Sequence, residues 1–279
     1  MEEKTLKSWS EFKPTIDEIR KKYGFHEFPV ENDQAQRFNN TILFRGQQNS
    51  SWKLETTLER KTKDSFSVLH YLALVSRSVN ELESYMGTKW NVPDFPELVK
   101  EVKEKQSEFG PYLPCYDYLV YLRHHGYPSP LLDWTESPYI AAYFALCEMS
   151  SEDRVAVYAY IETPAGSKSV GTDKATIGLQ GPFVSTDKRH FAQKAWYTVA
   201  SRWSSNDSQH TFCSHHEVFN NPESNQDILI KITIPVSDRR LALKELNDYN
   251  INHFTLFQSE DSLIKALSMK DFDIRDKAD

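Results

Sequence analysis

The sequence predicts an α+β fold, a mixed or antiparallel sheet of short strands with helices inserted between them. Three observations carry that expectation. Isoleucines at 228, 230, 232 and 234 alternate with Leu229, Lys231 and Thr233, the period of a strand with one strongly buried face. The run RVAVYAYI at 154–161 has the length and the β-branched, aromatic character of a second strand. By contrast, Val68, Leu72, Val75, Val79, Leu82 and Met86 recur at steps of four and three, which is a helix face, and Gly87 can end it.

Taken in order, Trp9, Phe12, Ile16 and Ile19 mark a helix within 7–23, and 24–40 are polar and irregular. The first forty residues therefore read as an N-terminal helical extension to a domain at 41–270. Thr41 to Phe44 form a strand that runs into Arg45-Gly46-Gln47-Gln48. One helix is expected at 65–86, a break at 88–96 around Pro93 and Pro96, and an exposed charged helix at 97–109. Tyr116, Leu119, Val120 and Arg123 begin another, so 65–125 reads as a helical insertion. Gly126 stops it, with Arg123, His124 and His125 at the negative end of its dipole. Pro128 and Pro130 keep the next stretch an extended loop. Ser137 and Pro138 then cap and open a helix to about Glu148, uncharged until its end and hence buried. Residues 162–187 and 200–227 read as loop, Ser237 caps a helix to about Tyr249, and Ser259-Glu260-Asp261 opens a last one through Leu267.

Composition narrows the function classes. The chain has 279 residues, 39% hydrophobic and 26% charged, with a net charge of −7, which argues against bulk attraction to nucleic acid or an anionic membrane. Its three cysteines, Cys115, Cys147 and Cys213, are scattered and odd in number, as suits a reducing cytoplasm. No apolar run approaches the length of a membrane span. His210, Cys213, His215 and His216 cluster in one polar segment, but their spacing fits no standard zinc pattern, and no metal is expected.

Two positions stand out chemically. Asp133 lies between two leucines and a tryptophan, where a carboxylate needs a partner. It either braces the helix opening at Ser137 or takes part in chemistry. Arg45, at a strand end and followed by Gly46, offers a planar fork of donors for an anion, or else pairs with a buried acid such as Asp133.

The segments around both residues resemble the FRG domain, a bacterial family named for a Phe-Arg-Gly signature. Phe44-Arg45-Gly46, Gln47, Trp52, Leu54 and Arg60 follow that signature position by position. His125-Gly126-Tyr127, the run Pro128-Ser129-Pro130-Leu131-Leu132-Asp133-Trp134-Thr135 and the Ala141-Ala142-Tyr143-Phe144-Ala145 helix follow the family's second block. Ser129 stands where Thr is usual, and Pro130 where Arg is usual. Arg189, Gln193 and Thr198 match a third block, and Leu256, Phe257, Asp261 and Leu263 a fourth, so the resemblance runs from about Phe44 to Leu267.

The order of these blocks is similar to that of ADP-ribosyltransferases of the Arg-Ser-Glu type, which implies an ADP-ribosyltransferase-like core. It implies NAD as co-substrate and a role in a bacterial toxin or phage defence. The ADP-ribose acceptor would be an unidentified protein or nucleic acid, with an antitoxin as a further partner. By the same resemblance Arg45 anchors the NAD phosphates or ribose, beside Gly46, Gln47, Trp52, His125 and Trp134. Thr135 or Ser129 supplies the hydroxyl, and Gln193, Glu217 or Asp133 stands in the place of the catalytic Glu. The alternative is a non-catalytic module that senses a nucleotide or binds a partner.

Overall fold

The computed structural model describes residues 1–28, 36–164, 168, 173–185, 188–221 and 226–275. The chain opens with β1 (Glu2–Thr5), α1 (Phe12–Tyr23) and the hairpin of β2 (Phe25–Phe28) and β3 (Gln36–Asn39). β4 (Ile42–Gln47) leads into α2 (Thr57–Lys61), α3 (Val68–Ser76), α4 (Val79–Met86), α5 (Phe95–Lys105) and α6 (Tyr116–His124). β5 (Leu131–Thr135), α7 (Pro138–Leu146) and β6 (Arg154–Ile161) follow. Next come β7 (Ala175–Gln180), α8 (Lys188–Ala192), β8 (Ala195–Ser204), β9 (Gln209–Phe212), α9 (His215–Asn220) and β10 (Ile228–Pro235). The described chain closes on α10 (Arg239–Asp248), α11 (His253–Phe257) and α12 (Glu260–Met269).

The main sheet is open and mostly antiparallel, in the order β1-β10-β6-β4-β5-β8-β7, with β9 added to β8 and β1 parallel to β10. The alternating isoleucines decide one face. Ile230, Ile232 and Ile234 of β10 and Val155, Val157 and Ala159 of β6 pack with α1, α7 and α10 in one core. On the opposite face Leu43, Leu132, Trp134, Tyr158 and Tyr160 form a core with α9. Leu131, Tyr197 and Val199, on the same face as Phe44 but beyond β4, form a third with α3, α5 and α6.

Several expectations change in the folded chain. The first forty residues are not set apart, because β1 extends the main sheet and Trp9, Phe12, Ile16 and Ile19 lie in the same core as α7. The single helix expected at 65–86 breaks at Arg77–Ser78, where the Ser78 hydroxyl bonds the Val75 carbonyl and the Tyr118 hydroxyl. The loop expected before Ser137 contains β5, a central strand paired with β8 from Leu131↔Val199 to Thr135↔Ala195. β7, β9 and α9 lie within stretches read as loop, and β2 and β3 within the stretch read as irregular. Parts of those stretches fall outside the described residues.

Packing alone already requires a glycine at position 46. A Cβ there would lie 2.0 Å from the Ala141 carbonyl oxygen and 2.7 Å from the Ala145 amide. Glycine is needed here so that the Ala-rich face of α7 can close onto β4.

Candidate functional site

The sheet has one weak seam. β4 pairs with β6 at six positions but with β5 only at Phe44↔Thr135. Beyond that pair the strands diverge, and Arg45 fills the gap. Its Nη1 donates to the Asp133 carbonyl at 2.8 Å and lies 3.6 Å from Asp133 Oδ2. A side chain thus serves a backbone acceptor that a continuous ladder would have used.

The carboxylate of Asp133 is also held by Arg123 Nη2 from the end of α6. Both arginine side chains are only 14% exposed. Each also buries an Nε that meets no acceptor, so the pair offers more donors than the protein satisfies. Burial pulls the Arg45 guanidinium down to about 10; Asp133 opposes that shift, and Arg123 and Arg60 add to it. Arg45 therefore stays charged at neutral pH.

The end of α6 places a second contact beside the first. Asp133 and Tyr197 are register partners on β5 and β8. Consecutive residues Arg123 and His124 dock on these two neighbours, His124 Nε2 lying 2.8 Å from the Tyr197 hydroxyl. Tyr197 in turn meets His190 Nδ1 at 3.2 Å, and His190 Nε2 meets the Pro182 carbonyl at 3.0 Å. A carbonyl only accepts, so a neutral His190 carries its proton on Nε2 and accepts from Tyr197, which accepts from His124. Gly126, at φ +87°, ends α6 at the point that makes this docking possible.

On the far side, Thr135 donates its hydroxyl to the Gln193 carbonyl at 2.7 Å and accepts from the Ser137 amide at 3.1 Å. Gln193 sits in the turn between α8 and β8, not on a strand, and its Nε2 donates to the Leu256 carbonyl at 3.1 Å. Arg189 of α8 donates to the His124 carbonyl and lies over the Phe257 ring. Arg45, Arg123, His124, Asp133, Tyr197 and Gln193 line a cleft of about 360 Å³, with Thr135, Arg189 and Phe257. Arg60 and Trp52 stand at its mouth, and Phe144 contributes to its wall.

Of the residues singled out in the sequence, Arg45, Gly46, Gln47, Trp52, Asp133, Trp134, Thr135 and Gln193 line this cleft. Two do not. His125 is the C-cap of α6 and its ring packs on Tyr121 at 4.4 Å; one residue further round the helix end turns it away from where His124 points. Glu217 lies on α9 and lines a separate cavity with Glu59 and His216. Ser129, the other hydroxyl considered, is buried and accepts from the Leu131 amide. The Trp134 indole donates to Thr198, which meets the buried His215.

Arg123, His124, Tyr197, Phe144 and Phe257 were not assigned to the site from sequence. The one local signal was the basic run before Gly126, since cations gather at helix C-termini. Among the described residues no group of three or more His, Cys, Asp or Glu side chains is placed to hold a metal ion.

Comparison with known proteins agrees with the part of the chain that builds the seam. Residues 40–154 match the family model of the FRG domain. No curated protein and no solved structure matches the chain. The matched span includes β4, α6, β5 and α7, and hence Arg45, Arg123 and Asp133; Arg189, Gln193 and Tyr197 lie beyond it. Within residues 40–154 the chain carries an FRG domain.

Proposed function

We propose that the cleft binds NAD and that the chain transfers its ADP-ribose to an unidentified macromolecule, or to water. The observation that carries this reading is the charge of the cleft. Arg45, Arg60, Arg123 and Arg189 line it against a single carboxylate, Asp133, in a chain whose net charge is −7. Gathering like charges in a half-buried space costs free energy that an anionic ligand would offset. Guanidinium forks match phosphate oxygens two at a time, and the rings of Phe144, Phe257 and Trp52 give flat apolar surface for the heterocycles.

In such a transfer the bond between the nicotinamide nitrogen and ribose C1 breaks, and nicotinamide leaves with the bonding pair as a neutral molecule. An acceptor hydroxyl or water then adds to C1 and releases its proton. Asp133 is the carboxylate at hand for the positive charge that develops on the ribose. A toxin or defence role, with an antitoxin as partner, is the setting in which such a transferase acts.

One observation favours a second reading, binding without turnover. Asp133 is already committed to two arginines, and Gln193 carries no charge. The experiment that separates the two is incubation of the full chain with NAD labelled on both halves, alone and with cell lysate. Transfer predicts nicotinamide release, or label on a macromolecule, lost in Arg45→Ala and Asp133→Asn. Sensing predicts saturable NAD binding, displaced by pyrophosphate, with no nicotinamide released. If NAD does not bind at all, both readings fail.

A further inference from the structure

The mouth of the cleft differs from its floor. Arg60 lines the cleft yet, among the described residues, makes no ion pair and no side-chain hydrogen bond. It is close enough to Arg45 to lower that residue's pKa through charge repulsion. Nor is its position loose. α2, which carries it, is fixed by a reciprocal cap in which Thr56 and Glu59 each bond the other's backbone amide. α2 is also tied to the segment between α6 and β5, since Leu58 donates to the Ser129 carbonyl and the Ser129 amide donates to Thr57 Oγ1.

Beside it, Trp52 is 50% exposed, an unusual state for an indole. Its loop is pinned as well. Buried Asn49 accepts from the amide and hydroxyl of Ser51, and Gln47 Nε2 donates to the Lys53 carbonyl at 3.1 Å. Trp52 forms the wall between the cleft and a smaller cavity of about 130 Å³. An exposed ring and an unpaired guanidinium, each carried on a fixed backbone and lining one cleft, suit a nucleobase with a phosphate on its own ribose.

We infer that Trp52 and Arg60 form an outer subsite for a nucleoside that carries a phosphate in addition to the pyrophosphate, so that the preferred ligand is the 2′-phosphorylated dinucleotide, NADP, over NAD. This rests on the dinucleotide reading above and refines its substrate class. The adenine lies on Trp52, the extra phosphate meets Arg60, and the pyrophosphate continues inward to Arg45 and Arg123.

The test is calorimetric titration of the full chain with NAD and NADP, ligands that differ by one phosphate. The wild type should bind NADP about tenfold more tightly, the worth of one charge-assisted fork. Arg60→Gln should reduce that ratio to about one, and Arg60→Lys should leave it in between. Arg45→Gln and Trp52→Ala should weaken both ligands and keep the ratio. A melting curve for each variant establishes that it is folded, and exposed Arg60 is not a core residue. Equal affinities in the wild type, or a ratio that survives Arg60→Gln, overturn the outer subsite and leave the dinucleotide reading standing. Failure of both dinucleotides to bind overturns both.

Discussion

β4 has two edges with opposite character. Toward β6 it runs a ladder from Ile42↔Ile161 to Gln47↔Ala156, and β6 continues into eight pairs with β10. Toward β5 it has one pair. On the closed edge the backbone groups satisfy one another, and most of the side chains along β6 and β10 are apolar and buried. On the open edge a side chain must take over, and the one that does is a guanidinium, which then needs a carboxylate, which attracts a second guanidinium. The polar cluster is a consequence of the broken ladder. A gap in a central sheet is where a protein can hold charge close to its core without a water-filled channel.

The largest expected effect tests the closed side. Gly46→Ala would drive a methyl group into the backbone of α7, with no flexible side chain to yield. We expect a loss of ~3 kcal/mol, the upper end of overpacking costs, measured by urea denaturation. A loss below ~1 kcal/mol would mean that α7 slides freely on β4. The glycine of the Phe-Arg-Gly signature would then owe its place to the cleft after all.

The next effect tests the open side and should differ in kind. Asp133→Asn keeps shape but removes the charge that Arg45 and Arg123 share. Because the aspartate is about one-third exposed, we expect ~2 kcal/mol of stability to be lost, less than for a fully buried pair. At the same time the freed arginines should bind pyrophosphate more tightly than in the wild type, and pyrophosphate should restore more of the lost melting temperature in the variant. Weaker pyrophosphate binding in the variant would mean that Asp133 organises the arginines for the ligand instead of competing with it.

The same contrast explains what could be read from sequence. The closed edge was legible because its strands are long and alternate: Ile228 to Ile234 and RVAVYAYI declare their faces without help from the rest of the chain. β5 was not, because the six residues between Pro130 and Ser137 look like a loop until β8, some sixty residues later, supplies the ladder. Arg45 and Asp133 could be noticed as an anion grip and a costly carboxylate, and their pairing was one of the stated options. Arg123 and Tyr197 could not, since their roles depend on a helix end meeting a cross-strand pair. The choice of His125 over His124 failed by a single residue, the span over which a helix end turns a side chain away. Glu217 looked like an available acid because nothing local says which cavity α9 faces.

The smallest effect concerns the element that joins the two regions. α11 packs His253 on the closed side, where its Nδ1 lies 3.1 Å from the Tyr143 hydroxyl of α7 and its ring stacks on Phe257. The same helix reaches the open side, because Phe257 lines the cleft and Leu256 accepts from Gln193. Burial, with Lys265 adding to it, holds the His253 imidazole down to about 4. Folded His253 thus stays neutral while the unfolded chain takes up a proton near pH 6.5. The native state loses stability as pH falls from that value toward 4 and is unaffected above it. Allowing for partial exposure, the loss at pH 5 should be about 1 kcal/mol. Urea midpoints of the wild type and His253→Gln at pH 7.5 and pH 5 isolate this contribution, and the variant should show the smaller drop. If α11 couples the two regions, ligand affinity at pH 5 should fall with stability in the wild type and hold in the variant. Stability that falls while affinity holds would show that the closed core can loosen without disturbing the seam.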